Sequence, residues 1–164
     1  MNPVEIIFVL LATVVGMELF AWAVHKYIMH GWGWGWHRDH HEPHTGLLER
    51  NDWYAAVFSV IATAMFTAGA LWSPLLWWIS MGITVYGLIY AFIHDGLVHQ
   101  RFMGWVPRKG YAKRLVQAHK LHHATVGREG GVSFGFLFAP DPAKLKAQLR
   151  QQVADKRAQL HAPV

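Results

Sequence analysis

The sequence predicts an all-α integral membrane protein, with three to four transmembrane helices and a cytosolic cap that is rich in histidine. Hydrophobic residues make up 53% of the 164 residues and charged residues only 15%, well below the roughly 25% that is typical of soluble proteins. Ten of the twelve histidines fall into four short motifs, and the chain has no cysteine. Any metal must therefore be held by nitrogen and oxygen ligands. We expect one domain, residues 1–164.

The first predicted span covers about residues 4–24, close to the ~20 residues that a helix needs to cross the bilayer. Glu18 interrupts it, and a carboxylate at membrane depth is costly unless it faces protein or water. Glu18 lies seven residues before His25, two helical turns away on the same face. It is a candidate hydrogen-bond partner for a metal-bound histidine, or else a glutamate hydrogen-bonded within the helix bundle.

Glycine and tryptophan alternate over residues 31–36. This run predicts an interfacial turn, because glycine weakens helices and tryptophan favours the water–lipid interface. An aromatic platform for a ligand is the less favoured interpretation. The polar stretch 37–52 cannot lie in the hydrocarbon layer. Further spans are predicted at about residues 53–72 and 75–93, joined by a tight turn at Ser73-Pro74.

The basic residues support three crossings. All fifteen lysine and arginine residues lie within residues 26–52 or 101–164. The positive-inside rule therefore predicts that regions 25–52 and 94–164 are cytosolic, with the protein integral to the cell (inner) membrane. The net charge of +5 follows from this placement, and we expect no nucleic-acid partner.

Three features are predicted in the last third of the chain. Residues 111–123 form a short helix with its histidines near one face. Residues 132–138 are apolar but too short to span the bilayer, and they form either a re-entrant or interfacial segment or a plain packing segment. Asp141-Pro142 begins a last amphipathic helix, with an N-cap residue followed by proline at the first helical position.

The histidine motifs repeat one arrangement twice, a pair separated by four residues followed by a triplet of the form HX2HH. The triplet spacings of three and four residues place side chains on one helix face. The pair spacing of five puts the two side chains some 140° apart on an ideal α-helix, so they converge only at a helix end or a local distortion. The ten candidate metal ligands are His25, His30, His37, His40, His41, His94, His99, His119, His122 and His123.

Ten imidazoles exceed the four ligands of one structural zinc. They fit two metal ions with open coordination positions, and imidazole suits iron, copper, zinc and nickel alike. His44 and His161 lie outside the motifs and are not predicted as ligands. Asp95, which follows His94 directly, is a second candidate for a hydrogen bond to a metal-bound histidine. The sequence identifies no substrate-binding residue.

Four runs of sequence surround the histidine motifs. They are HKYIMHG at 25–31, HHEP with ERND within 40–52, HDGLVHQR at 94–101, and AHKLHH at 118–123 continuing to GREG and VSFGF at 127–136. These runs resemble the bacterial carotenoid hydroxylases of the fatty acid hydroxylase superfamily, which are membrane enzymes with histidine motifs. The resemblance covers most of the chain from His25 to Pro140. One departure is His44, where the family pattern predicts a basic residue such as arginine.

The resemblance implies an all-helical membrane hydroxylase with two iron ions, O2 as co-substrate and electrons from reduced ferredoxin. It further implies hydroxylation at C3 of the β-ionone ring, which converts β-carotene through β-cryptoxanthin to zeaxanthin. The expected partners are a carotenoid, the lipid bilayer and a ferredoxin-type donor. The alternatives are a hydroxylase or desaturase of another lipid such as a sterol or fatty acyl chain, a purely structural di-zinc site, and, much less favoured, a metal transporter.

Overall fold

The structure is a computed structural model that describes residues 1–42, 46 and 48–161; His44 lies outside the described residues. In this part of the chain there are six α-helices, two π-helices and no strand. The α-helices are α1 (Pro3–Ala23), α2 (Trp34–His41), α3 (Asp52–Trp72), α4 (Pro74–Tyr90), α5 (Gly110–His122) and α6 (Pro142–Leu160). The π-helices are π1 (Val24–Trp32), which continues α1, and π2 (Ala91–Val98), which continues α4.

The predicted all-helical membrane architecture is confirmed. Three stretches within the described residues are long and apolar enough to cross a membrane: Pro3–Trp32, Asp52–Trp72 and Pro74–Val98. The second agrees with the predicted span to within a residue. The first and third run further than predicted, because each α-helix continues into a π-helix that carries a histidine pair. The chain is therefore a membrane protein.

Helix α4 is central to the bundle, because it packs against both α1 and α3. Glycines bring the backbones close at both contacts. A Cβ atom at Gly69 would lie 2.4 Å from the backbone nitrogen of Trp77, and one at Gly82 would lie 2.6 Å from the side chain of Thr13. At the α3–α4 turn, Ser73 caps α4 with its hydroxyl, which accepts from the Leu76 N–H at 3.4 Å.

The cap is built from α2, α5, α6 and the irregular segments around them. The segment after π2 is fixed to the start of α3, because Arg101 donates two hydrogen bonds of 2.8 Å to the carboxylate of Asp52. Helix α6 begins as predicted, with the Asp141 side chain accepting from the Ala143 N–H at 2.8 Å. Leu145 of this helix is buried in the cap, whereas Leu160 is exposed.

The predicted turn over residues 31–36 is too long. The chain breaks at Gly31, whose φ of −108° and ψ of −125° are not helical, but α2 already begins at Trp34. Gly33 has an ordinary φ of −82°, and its role is to allow close approach: a Cβ there would lie 2.1 Å from the Tyr54 hydroxyl oxygen. The compact break lets α2 fold back against the end of the first span.

Candidate metal centre

Both histidine pairs lie at π-helices. His25 and His30 are within π1, while His94 is in π2 and His99 caps its end. The His99 N–H donates to the His94 carbonyl at 2.9 Å, a five-residue hydrogen bond between the two histidines of the pair. A π-helix has this i→i+5 pattern and is common at functional sites. The wider turn brings side chains five residues apart to one face, which an α-helix would not do.

The histidine triplets lie on two short helices of the cap. His37, His40 and His41 are on α2, and His119 and His122 are on α5 with His123 at its C-terminal cap. Most of the ten are buried, with His25 and His122 fully so. Buried polar groups normally need partners, so the arrangement of their ring nitrogens is informative.

The ring nitrogens form two compact groups within the described residues. In each group, one nitrogen from every member lies within 4.8 Å of the others. The first cluster is His25, His30, His37, His41 and His122. The second cluster is His40, His94, His99 and His119, and we add His123 because its Nε2 lies 2.9 Å from Nε2 of His119.

The clusters do not follow the two sequence repeats. Each takes its pair and the outer two histidines of its triplet from one repeat. The middle histidine of each triplet is exchanged: His40 joins the second cluster and His122 joins the first. Each cluster is therefore completed by a residue from the other repeat.

In the first cluster, every histidine has its Nδ1 next to an oxygen acceptor. The acceptors are the carbonyls of Phe134 for His25, Arg128 for His30, Thr125 for His41 and Val132 for His122, and the side-chain oxygen of Asn51 for His37, at 2.7–3.2 Å. Because these oxygens only accept, Nδ1 carries the proton and a neutral ring presents a lone pair at Nε2.

The Nε2 atoms of the first cluster face one another. The distances are 3.1 Å between His25 and His37, 3.1 Å between His30 and His122, and 3.2 Å between His41 and His37. Two lone pairs cannot hydrogen-bond, and a cation bound between them would remove their repulsion. Nitrogens bound to one metal ion at about 2.0–2.1 Å, as in zinc–imidazole sites, lie roughly 3 Å apart. The donor set fits a transition-metal ion.

A proton does not serve as this cation at neutral pH. Burial lowers the pKa of His37 to about 3 and the pKa of His41 to about 4. Burial, followed by the electrostatic interaction with His94, lowers the pKa of His99 to about 2. At neutral pH these imidazoles are uncharged, which is the form that binds metal.

The second cluster uses carboxylates where the first uses neutral acceptors. Nδ1 of His40 lies 2.6 Å from Oε2 of Glu49, and Nδ1 of His94 lies 2.7 Å from Oδ1 of Asp95. Nε2 of His40 is buried and has no hydrogen-bond partner, which is costly unless a ligand occupies it. Nε2 of His119 lies 3.0 Å from Nε2 of His99. This set also fits a transition-metal ion.

Comparison with known proteins agrees with this geometry. The family model described as fatty acid hydroxylase matches residues 10–140. The chain belongs to the fatty acid hydroxylase family. The predicted resemblance is thus confirmed, and no solved structure matches the chain.

Named relatives of this hydroxylase chain share much of its length. A β-carotene hydroxylase from a Paracoccus species is 60% identical over 87% of this chain and 89% of its own. A β-carotene hydroxylase from Pantoea ananas is 54% identical over 88% of this chain and 83% of its own. A chloroplastic β-carotene 3-hydroxylase from Haematococcus lacustris is 41% identical over 77% of this chain and 41% of its own.

The two carboxylates predicted near the hydroxylase site have different surroundings. Asp95 contacts His94, as given above. Oε1 of Glu18 accepts from the N–H groups of Phe136, Leu137 and Phe138 at 2.9–3.0 Å, and Oε2 accepts from the Tyr86 hydroxyl at 2.8 Å. Glu18 thus holds the 132–138 segment, whose Phe134 carbonyl accepts from His25. Its link to that histidine runs through the segment.

The sequence did not indicate several groups that orient the histidines. Glu49 and Asn51 belong to the ERND run that carried the family resemblance, but the run assigned them no role. The backbone carbonyls of residues 125–134 could not be predicted as partners from the sequence, since every residue has a carbonyl. The ring centroid of Trp34, within the glycine–tryptophan run, lies 5.3 Å from that of His30 and 5.4 Å from that of His41. Trp34 therefore packs against one side of the first cluster.

Proposed function

We propose that this hydroxylase inserts oxygen from O2 at C3 of carotenoid β-ionone rings, converting β-carotene through β-cryptoxanthin to zeaxanthin. The proposal is carried by one observation: two buried all-nitrogen clusters in a membrane chain that is 52–60% identical to β-carotene hydroxylases over most of its length. The name of the Haematococcus lacustris relative supports position 3. Sterols and fatty acyl chains are the competing substrate classes.

We propose two iron ions as the cofactor, one in each cluster. Bound iron would supply the activation of O2 that attack on an unreactive ring C–H bond requires. The overall reaction consumes one O2, two electrons and two protons and yields the alcohol and water. Reduced ferredoxin is the proposed electron source, on the strength of the family resemblance.

The chain's own residues prepare the site for this chemistry. The carbonyls and Asn51 hold the protons of the first cluster on Nδ1, so that Nε2 stays free to bind metal. Glu49 and Asp95 do the same for two histidines of the second cluster and add negative charge, which raises ligand basicity. Burial of the imidazoles excludes bulk water, which protects the reaction from side reactions.

The proposed location is the cell (inner) membrane, with both clusters on the cytoplasmic side. Support comes from the basic residues, none of which lies in residues 1–25 or 53–100. A cytoplasmic site would be within reach of a soluble electron donor. Tagging the 73–74 turn and testing its access from the periplasm would check this orientation.

The decisive experiment uses purified, iron-loaded protein with ferredoxin, its reductase, O2 and β-carotene. We expect β-cryptoxanthin and then zeaxanthin, about two iron ions per chain, and loss of product when any of the ten clustered histidines is changed to alanine. His161→Ala is the control, because His161 is exposed. Unchanged β-carotene would contradict the proposal; so would preferential oxidation of a sterol or fatty acid.

A further inference from the structure

A cavity of about 540 Å³ lies among the three spanning segments, within the 300–1,000 Å³ typical of small-molecule sites. Residues of α1, α3 and α4 line its walls. Its lining on α3 extends from Asp52 to Phe66, a rise of roughly 21 Å, about two-thirds of the ~30 Å hydrocarbon layer. The cavity therefore encloses only part of a long lipid.

Three polar side chains at the inner end of the cavity contact other residues: Asn51 accepts from His37, Asp52 accepts from Arg101, and Asp95 contacts His94.

The hydroxyl groups that line the rest of the cavity also have partners in the protein. The hydroxyls of Ser59, Thr63 and Thr84 donate to carbonyls four residues earlier in their own helices, at 2.8–3.0 Å. The Tyr86 hydroxyl donates to Glu18 at 2.8 Å, and the Tyr54 hydroxyl donates to the Gly33 carbonyl at 2.9 Å. An occupant is offered apolar surface, and a hydrocarbon satisfies it without leaving buried polar groups unpaired.

The inner end of the cavity meets both clusters through two aromatic rings. The Phe136 ring stacks on His25 of the first cluster, with centroids 4.9 Å apart and planes inclined by 12°. The Tyr90 ring stacks on His94 of the second cluster, with centroids 4.6 Å apart. The two aromatic rings meet edge to face at 4.8 Å. Both line the cavity, so an occupant that fills it ends against the pair.

The side of the cavity is open to lipid. Phe20 of α1 and Leu88 of α4 line it and are 50% and 68% exposed. Phe20 meets Phe58 of α3 edge to face, with centroids 5.8 Å apart, so this pair bridges the cleft between α1 and α3. A long molecule can enter from the bilayer while part of it stays outside.

We propose that this cavity binds one end ring of the carotenoid and the adjoining polyene, with the remainder of the molecule in the bilayer. The Phe136–Tyr90 pair stops the ring beside the two clusters, so that the tip of the ring is the part of the substrate nearest the histidines. This inference rests on the proposed function for the identity of the occupant. It makes residues other than the histidines the determinants of substrate binding.

Gly87→Leu tests the inference, because Gly87 lines the cavity and a Cβ there would meet no atom within 4 Å. The leucine occupies open space and favours the helix over glycine. Gly16→Leu is the matched control: it is also a glycine of a spanning helix with no atom within 4 Å of a Cβ, and it lines a different groove. Ser59→Phe narrows the opposite wall, with lipid-facing Ala56→Phe as its control.

Binding is measured separately from turnover. The probe is β-carotene added to full-length, iron-loaded protein in lipid nanodiscs without an electron donor, so that no turnover occurs. Binding is followed by visible circular dichroism, because the achiral pigment gives a signal only when a chiral site holds it. We expect Gly87→Leu and Ser59→Phe to bind β-carotene with an affinity lower than that of the wild type by roughly tenfold or more, since overfilling a packed site is costly. Gly16→Leu and Ala56→Phe should bind like the wild type, and all four should retain iron when loaded.

The outcomes separate this inference from the proposed function. One outcome is that the wild type binds β-carotene, both cavity variants lose this binding, and no hydroxylated product forms. This outcome supports binding in the cavity and contradicts the proposed hydroxylation. Hydroxylation with unchanged binding by both cavity variants overturns the cavity and leaves the reaction intact. A wild type that gives no induced signal, or a signal displaced only by a sterol or fatty acid, also overturns the inference.

Discussion

The ten clustered histidines are distinguished from one another by what their second ring nitrogen contacts. In the first cluster the partners are neutral, four carbonyls and the amide of Asn51. In the second cluster, His40 and His94 contact the carboxylates of Glu49 and Asp95. A carboxylate partner makes an imidazole a stronger electron donor. The two clusters are therefore chemically unequal, although each consists of histidines alone.

Glu49→Gln should weaken metal binding at the second cluster alone. The amide keeps an oxygen for His40 but loses the charge that supports its basicity, and changes of this kind cost about 10–100-fold in metal affinity. Competition with a chelator, followed by iron analysis, should show one of two ions released at lower chelator concentration. Glu42→Gln is the control, since Glu42 is exposed and pairs with Arg38 at 3.7 Å. Simultaneous loss of both ions would contradict the prediction.

At the scale of the helix, two π-helical turns solve a problem that the sequence raised. A spacing of five residues diverges on an α-helix, and the sequence allowed convergence only at a helix end or a distortion. The structure supplies the distortion at the end of α1 and again at the end of α4. Which residue would adopt it was not predictable, because the i→i+5 pattern competes closely with the α-helix and tertiary packing decides between them.

Gly33→Ala should disturb the junction between π1 and α2. Its Cβ would lie 2.1 Å from the Tyr54 hydroxyl oxygen and 2.9 Å from the Ile28 carbonyl oxygen, and overpacking of this kind costs about 1–3 kcal/mol. We expect a lower midpoint of thermal unfolding and less bound iron. Gly35→Ala, two residues on with no atom within 4 Å of a Cβ, should change neither.

A second variant confirms the cause. Tyr54→Ala in the Gly33→Ala background removes the hydroxyl that the new methyl group meets. It should recover part of the lost iron binding, although Tyr54 also gives up its 2.9 Å hydrogen bond to the Gly33 carbonyl. Two results together would contradict this explanation: no recovery of iron binding in the double variant, and a loss in Gly35→Ala as large as that in Gly33→Ala. They would show that the change in helix propensity, and not the contact with Tyr54, causes the loss.

Much of the fold followed from composition and charge, because bilayer thickness fixes span length and glycine, proline and basic residues mark the ends. The second span was predicted to the residue at Trp72 and within one residue at its start. That the histidines of the four motifs come together was equally predictable. Their partition between the two clusters was not, since it depends on how the α3–α4 hairpin lays α5 beside α2, and no local pattern encodes that packing. Glu49 and Asn51 were hidden for the same reason.

At the scale of the whole molecule, Glu18 joins three parts of the chain. It lies on α1, accepts from Tyr86 of α4, and accepts from three consecutive N–H groups of the 136–138 segment. Glu18→Gln removes the charge from four hydrogen bonds, and a single hydrogen bond to a charged group contributes about 1.5–3 kcal/mol. We expect a loss of stability on the order of 2 kcal/mol or more, measured by thermal unfolding in nanodiscs.

Tyr86→Phe is the informative companion to this variant. It removes one of the four donors and leaves the three backbone contacts in place, so it should cost less and retain iron. If Glu18→Gln unfolds at the wild-type temperature with both ions bound, the carboxylate does not hold the segment in the way that its contacts indicate.

The exchange of the middle histidines between the clusters can be tested by Mössbauer spectroscopy of histidine variants. With isotopically enriched iron, His40→Ala should alter the same Mössbauer component as His94→Ala, although His40 lies in the first repeat. Likewise His122→Ala should alter the component that His25→Ala alters. A result in which His40→Ala groups with His37→Ala would mean that each repeat binds its own ion and that the clusters are wrongly drawn.

The same exchange sets an order for biosynthesis. The first cluster needs His122, which leaves the ribosome only after all three spans and most of α5. A nascent chain that has inserted its first span holds four of the five ligands and lacks the one that closes the set. If each cluster binds one ion, as proposed, we expect both ions to be captured late, by a chain whose membrane insertion is nearly finished.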